Sequence, residues 1–358
     1  MNVLFVNTKG FWGGGEKLHF EYAEKFVELG HNVFIATKKY SPLFNKCKDK
    51  RINTFNISLG NLAFCNPLKI KRLINFYKKE KIELIIISNS PDLKAAGIAA
   101  KIARVKNIVY LRGLAVSVRN NILNKYIFKN ILTHIVPNSE ETKKTTLKNF
   151  QNVKLSCKIK VIYHGIDIKD YDRNVTYVNN EKDYIVLGNA GRLTEQKGQE
   201  HLIEIAKILK SENIKFKLLI AGTGDLKKEL QELIIENKLE KEVELLGFVG
   251  KIENFMTSID IFLLSSIWEG FGYVIVEAMA AKKPVVAFNK SSNPEIVEDK
   301  KTGYLIEYPN IKDFAEKVKN LINNKDLRNE LGNNGRKRLQ DRFILDDRIK
   351  EFEEFITN

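Results

Sequence analysis

The sequence predicts an α/β protein built as two doubly wound, parallel-sheet halves. Two observations carry that expectation. Short apolar runs of strand length alternate with longer amphipathic stretches along the chain. The alternation pauses once, at His164-Gly165-Ile166-Asp167 and a polar stretch reaching Asp183, and then restarts. At 358 residues, 44% of them hydrophobic, the chain is long enough for two domains, each with its own core.

Taken in order, strands are expected at 3–7, 32–37, 52–57, 84–88, 108–111, 133–137 and 159–163. Helical patterns lie between several of them, notably at 16–29 and 92–104. After the pause, strands are expected at 184–189, 216–221, 243–246, 261–264, 284–287 and 304–306. The stretch 341–356 spaces Phe343, Ile344, Ile349, Phe352 and Phe355 as the apolar face of a terminal helix. The expected organisation is a first domain over 1–165, a linker over 166–183, a second domain over 184–340 and a final helix over 341–358.

Composition narrows the function classes. No apolar run reaches the roughly 18 residues of a membrane span. The opening Met1-Asn2-Val3-Leu4-Phe5-Val6-Asn7 is too short and too uncharged for a secretory signal and reads as a strand. Cys47, Cys65 and Cys157 are odd in number and scattered, so neither a disulfide framework nor a zinc site is expected. A reducing, cytoplasmic setting follows as the expectation. Net charge is +15 and uneven. Residues 1–170 hold 30 Lys and Arg against 12 Asp and Glu, or +18, whereas residues 171–358 hold 29 against 32, or −3. A basic first half fits an anionic partner such as a phosphorylated acceptor, an anionic membrane or nucleic acid. A lysine-rich composition would account for the total but not for the asymmetry. Residues Lys38, Lys39, Lys69, Lys71, Arg72, Lys78, Lys79 and Lys81 fall in stretches that could form one basic face.

Four segments carry the chemistry. The first is Glu269-Gly270-Phe271-Gly272-Tyr273-Val274-Ile275-Val276-Glu277, in which two carboxylates stand eight positions apart around a glycine turn. The turn reads as a loop opening a helix, where unpaired N–H groups favour an anion. A helical rise of about 1.5 Å per residue puts the two carboxylates about 10 Å or more apart. A glycoside hydrolase needs about 5–5.5 Å if retaining and 6.5–9.5 Å if inverting. Glu269 and Glu277 are therefore expected to serve different parts of one ligand. In the second segment, Gly191-Arg192-Leu193-Thr194-Glu195-Gln196-Lys197-Gly198, Arg192 offers a planar fork for phosphate and Lys197 a mobile point charge. The third is Trp12-Gly13-Gly14-Gly15-Glu16, between the first strand and helix. It fits neither the G-x-G-x-x-G dinucleotide fingerprint nor a Walker A loop, but its glycines would let Gly14 and Gly15 approach a ligand closely. The fourth comprises the turns Gly222-Thr223-Gly224 and Gly247-Phe248-Val249.

Together these segments resemble the E-x7-E, G-R-L-x-x-x-K-G and paired-glycine motifs of the retaining nucleotide-sugar glycosyltransferases known as family 4, which have the GT-B fold. The resemblance spans essentially the whole chain. It implies two Rossmann-like domains facing a central cleft, with the final helix returning to the first domain. It also implies a nucleoside-diphosphate sugar as donor and a saccharide or lipid-linked saccharide as acceptor, with no metal and no other cofactor. By resemblance, Arg192 and Lys197 hold the diphosphate, Glu277 accepts from the ribose hydroxyls, and Glu269 with Phe271 and Gly272 contacts the sugar. Phe248 and Val249 then lie near the base, Gly14 and Gly15 near the donor. Glu269, Arg192 and Lys197 would be the catalytic set. One departure stands out. Where many members carry a histidine at the end of the fifth strand, this chain has Arg112-Gly113. Arg112, with Arg119 behind it, is expected on the acceptor side. Asp170-Tyr171-Asp172 is the only D-x-D, and it falls in the linker. The first half also looks like enzymes of lipopolysaccharide-type saccharide assembly, in Phe11-Trp12-Gly13, Arg112-Gly113-Leu114-Ala115 and Pro137-Asn138-Ser139-Glu140. The expected setting is the inner face of a membrane. No nucleic acid partner is expected. The alternatives are a nucleotide-sugar epimerase of the same fold, and a non-catalytic basic binding protein.

Overall fold

Runs such as Leu84-Ile85-Ile86-Ile87, apolar on both faces, can only be satisfied inside a sheet covered on both sides. The computed structural model, which describes residues 1–174 and 183–357, builds two such sheets. In the first, the strands are β1 (Asn2–Val6), β2 (Asn32–Thr37), β3 (Asn53–Asn56), β4 (Leu84–Ile87), β5 (Asn107–Arg112), β6 (His134–Pro137) and β7 (Lys158–Ile159). Their spatial order is β3-β2-β1-β4-β5-β6-β7, and every described pairing is parallel. In the second, β8 (Ile185–Ala190), β9 (Phe216–Ala221), β10 (Val243–Gly247), β11 (Ile261–Leu264), β12 (Val285–Phe288) and β13 (Gly303–Ile306) run β10-β9-β8-β11-β12-β13, again parallel.

The chain divides into two compact units, Met1–His164 with Asp346–Asn358, and Gly165–Leu345. In the first unit the Ala-rich face of the helix Ser90–Ala103 is buried in the core that also takes Leu4, Ile85 and Ile108. The terminal helix Leu345–Thr357 packs within the same unit. Phe352 meets the rings of Tyr22 and Phe26 edge-on at 5.5 and 6.0 Å, and Glu353 lies 2.7 Å from His31. That helix starts later than the expected 341. The preceding helix Lys325–Arg342 ends first, and the chain then extends so that Ile344 pairs with Ile166. Residues 175–182 of the expected linker 166–183 lie outside the described residues. The part that is described includes a short helix, Ile168–Asn174. The strand expected at 159–163 is shorter than its apolar pattern, with β7 holding two residues at the sheet edge.

Each sheet contains one point where neighbouring strands lead their connections in opposite directions. It falls between β1 and β4 in the first unit and between β8 and β11 in the second. Loops leaving such a pair diverge to opposite faces and open a crevice at the carboxyl ends of the strands.

Candidate functional site

In the second unit that crevice is built by the loops after β8 and β11. The β8 loop turns through Thr194 and a short 3₁₀ turn, Glu195–Lys197, to Gly198, which stands at φ +58 and begins the helix Gln199–Ser211. A side chain at Gly198 would clash: its Cβ would lie 2.6 Å from the carbonyl oxygen of Ser265. Only glycine allows both the left-handed turn and this close approach. The turn carries Lys197 across to the β11 loop, where its Nζ donates to Glu269 Oε1 at 2.5 Å. The same carboxylate oxygen accepts from the Ser266 hydroxyl at 2.7 Å. The backbone carbonyl of Glu269 accepts from the hydroxyls of Ser291 and Ser292, at 2.7 and 3.2 Å. Glu269 is thus buried and held from three loops. An ammonium has three donors, so Lys197 can keep this bond and still present N–H groups to a second anion.

Arg192, exposed on the same β8 loop, reaches Gln196 Oε1 at 3.3 Å and keeps most of its fork for a ligand. Gln196 in turn ties the two loops together, donating to Trp268 O at 2.9 Å and accepting from Ile267 N–H through its own carbonyl. Gly272, at φ +67, begins the helix Tyr273–Ala280, which carries Glu277. Neither this helix nor Gln199–Ser211 has a side-chain cap at its start. Two uncapped helix starts and two cations therefore converge on one crevice, an arrangement suited to an oxyanion-rich ligand.

The other residues singled out in the sequence are placed as follows. Glu277 is buried in its helix, and its carbonyl accepts from the Tyr171 hydroxyl at 3.2 Å. The Phe271 ring is buried edge-on against Phe343 at 5.8 Å. Phe248 is 74% exposed in the loop after β10, with Val249 half-buried beside it. Gly222 and Gly224 lock the β9 loop against the β8 loop. A Cβ at Gly222 would fall 1.8 Å from Gly191 O, and one at Gly224 2.2 Å from Leu193 O. Asp172 is ion-paired with Arg336 at 2.6 Å. No cluster of three metal-ligating side chains occurs among the described residues. The sequence did not single out Ser265, Ser266, Ser291, Ser292 or Gln196. Their one signal was position, since each serine pair follows closely on an apolar strand.

In the first unit, Gly13 precedes the helix Gly14–Glu28, and nothing lies within 4 Å of where side chains at Gly14 or Gly15 would sit. Behind this loop is a buried polar cluster at the β1–β4 crevice. Asp92 accepts from the backbone and hydroxyl of Thr8, at 3.0 and 2.6 Å, and from Asn89 at 3.2 Å. Glu16 accepts from Asn7 at 3.2 Å and pairs with Lys9 at 3.5 Å. Burial pushes the Asp92 carboxyl above its ordinary range, and the Thr8 bonds oppose that shift. Arg112 is the last residue of β5. It is buried, with Nη1 donating to the Tyr110 hydroxyl at 3.1 Å and Nη2 to Val116 O at 2.6 Å. Its task within this unit is to hold the following loop, whereas Arg119 is exposed.

Comparison with known proteins finds relatives for both halves of the chain. Residues 172–338 match the family described as glycosyl transferases group 1, and residues 12–170 match glycosyltransferase family 4. An uncharacterized glycosyltransferase of Methanocaldococcus jannaschii, MJ1178, is 32% identical over 78% of this chain and 79% of its own length. The Escherichia coli UDP-Gal:alpha-D-GlcNAc-diphosphoundecaprenol alpha-1,3-galactosyltransferase is 26% identical over 99% of this chain and 96% of its own. Among solved structures, Anabaena Alr3699/HepE in complex with UDP and glucose superposes with a TM-score of 0.84 at 22% identity, covering 100% of this chain and 99% of that one.

Proposed function

Because the chain belongs to the family 4 glycosyltransferases of the GT-B fold, we propose that it is a retaining hexosyltransferase acting from a nucleoside-diphosphate sugar without a metal ion. The observation that carries this reading is the Lys197–Glu269 pair, set in the β8–β11 crevice beside Arg192 and between two uncapped helix starts. In this reading Arg192 and Lys197 take the diphosphate. They stabilise the charge that grows on it as the glycosidic bond breaks, the work a cation performs in metal-dependent transferases. Glu269 orients Lys197 and meets the sugar, together with the Phe271 and Gly272 backbone. Glu277 takes the ribose hydroxyls, Phe248 and Val249 flank the base, and Gly14 and Gly15 approach the donor. The acceptor proton passes to a leaving phosphate oxygen, with attack on the same face of the sugar. Uridine is the base we favour, because a structural neighbour is described with UDP and a relative is named for UDP-Gal. The acceptor is a saccharide or lipid-linked saccharide, as the names of relatives suggest, and it meets the basic first unit, whose exposed Arg119 could pair its anionic group. The setting is the inner face of a membrane in cell-surface saccharide assembly.

The test is a panel of UDP sugars supplied with lipid-linked acceptors in EDTA, with the anomeric configuration of the product read by NMR. Product that keeps the donor's configuration is expected. Inversion would reject the retaining mechanism. Activity lost in EDTA and restored by Mg²⁺ or Mn²⁺ would reject metal independence and return attention to Asp170 and Asp172.

A further inference from the structure

The loop 113–121 after β5 and the helix Ile122–Asn130 combine two properties that the donor site does not use. One is charge. Residues 93–139 contain eight Lys and Arg and no Asp or Glu. The other is exposed apolar surface. Leu114, Val116 and Tyr126 are each 50% exposed and Ile122 is 88% exposed.

The exposure is not that of a loose loop. Arg112 holds Val116 O at 2.6 Å, and Asn149 holds Val118 O at 2.9 Å while the Val118 side chain is buried in the core. Asn124 donates to Arg119 O at 2.7 Å, and Asn121 caps the helix by accepting from Asn124 N–H at 2.8 Å. The backbone is tied at positions 116, 118, 119 and 121, and the side chains of Leu114, Val116 and Ile122, at or close beside these ties, are left exposed. On the helix, Ile122 and Tyr126 stand one turn apart, with Lys125 and Lys129 on the same exposed side. No carboxylate pairs with Arg119, Lys125 or Lys129 among the described residues. An ordered surface with aliphatic side chains in its middle and unpaired cations around them matches the boundary between hydrocarbon and anionic headgroups. Nucleic acid fits less well, because aliphatic Leu114, Val116 and Ile122 offer no stacking surface to bases.

We propose that this loop and helix dock on an anionic lipid bilayer, inserting Leu114, Val116, Ile122 and Tyr126 below headgroups that Lys125 and Lys129 contact. This places the docking element elsewhere than the lysine cluster between Lys69 and Lys81. There Lys69 and Arg72 bond backbone carbonyls of their own unit and Lys79 pairs with Glu80. The proposal is independent of the donor chemistry, so vesicle binding and UDP binding can be read separately.

The experiment is co-sedimentation of the full chain with phosphatidylcholine vesicles, with and without phosphatidylglycerol. Ile122→Ser/Tyr126→Ser, Lys125→Glu/Lys129→Glu and, as a control, Lys71→Glu/Lys78→Glu are compared with the wild type. Binding is expected only with the anionic lipid, weakening as salt is raised. The apolar double variant should weaken it about tenfold or more, and the Lys125/Lys129 reversal should weaken it at least as much. The control should bind within about twofold of the wild type. Melting temperature and UDP-induced thermal shift confirm that each variant is folded. Ile122→Trp adds a direct reading, since insertion shifts its emission to the blue on anionic vesicles alone. Equal binding of neutral and anionic vesicles would overturn the proposal. So would wild-type binding by the Ile122/Tyr126 variant, an unshifted Ile122→Trp emission, or tight binding of single-stranded RNA that survives both double variants.

Discussion

Lys197 and Arg192 carry the same charge in the same loop, and their surroundings predict different consequences of losing them. Arg192 is exposed, and its guanidinium reaches the Gln196 side chain. Arg192→Ala should leave melting almost unchanged, within the roughly 0.5 kcal/mol typical of a surface substitution. Its kcat should still fall about 10²–10³-fold if the guanidinium stabilises the leaving diphosphate. Lys197 is largely buried against a buried carboxylate. Lys197→Ala should cost the same factor in kcat and also about 1–3 kcal/mol of stability, because Glu269 is left with Ser266 as its side-chain partner. Lys197→Ala/Glu269→Gln should then recover much of that stability and none of the activity. Chemical denaturation and steady-state kinetics on the three variants separate these effects. Near-wild-type turnover in Arg192→Ala would remove it from the phosphate site. Much of this site was legible in the sequence, because Arg192, Lys197, Glu269 and Glu277 stand around glycine turns that follow apolar strand runs. The serines that hold Glu269 were not, since Ser265-Ser266 and Ser291-Ser292 read equally well as ordinary turn residues.

At the scale of elements, the strand runs were readable because doubly covered central strands such as Leu84–Ile87 and Ile261–Leu264 are pure Ile, Leu and Phe. Their ends shifted by a residue or two, since a hydrophobic pattern does not say where the last ladder bond falls. The shortening of β7 and the late start of the terminal helix have one kind of cause. In each, apolar residues continue past the element and are buried by irregular backbone, as Ile162 and Phe343 are. The loops obey a stricter rule that composition hints at and only geometry makes plain: the β8, β9 and β11 turns touch backbone to backbone through glycine. Gly198→Ala should therefore destabilise the second unit. The left-handed conformation alone costs about 1–2 kcal/mol, and relieving the clash with Ser265 O adds about 1–3 kcal/mol. Gly222→Ala should be worse, because a Cβ there falls on Gly191 O at 1.8 Å. Gly250, where a Cβ meets nothing within 4 Å, is the control. Equal melting temperatures for Gly198→Ala and Gly250→Ala would show that the loop contact is not what fixes Lys197.

Over the whole molecule, the division into two α/β units follows from a single pause in an otherwise regular alternation. The return of the last helix to the first unit is implied by the family resemblance alone, because amphipathicity says that a helix has a buried face and not which surface buries it. The first unit also sets a pH dependence that composition alone would not suggest. His19 is fully buried beside Phe5 at 5.7 Å, and neither ring nitrogen has a hydrogen-bond partner among the described residues. Burial, with smaller contributions from Lys9 and His164, holds it down to about 3. Burial holds His164 down to about 3 as well. Unfolded histidines take up protons near 6.5. Between about 6.5 and 3 the unfolded chain therefore binds more protons than the folded one, and stability must fall as pH falls. Above 6.5 the two rings are neutral in both states and impose no slope. Each should contribute about 1.4 kcal/mol per pH unit once well inside the window. Asp92, raised by its burial, acts in the opposite sense, gaining stability as it takes up a proton. The wild-type slope is a net value, so a variant is needed to isolate the histidine. Urea denaturation at pH 7.5 and pH 5.5 should show a clear loss for the wild type and a loss smaller by about 1 kcal/mol for His19→Leu. An unchanged pH dependence in His19→Leu would mean that His19 is protonated in the folded state, in contact with water or an anion that its burial otherwise excludes.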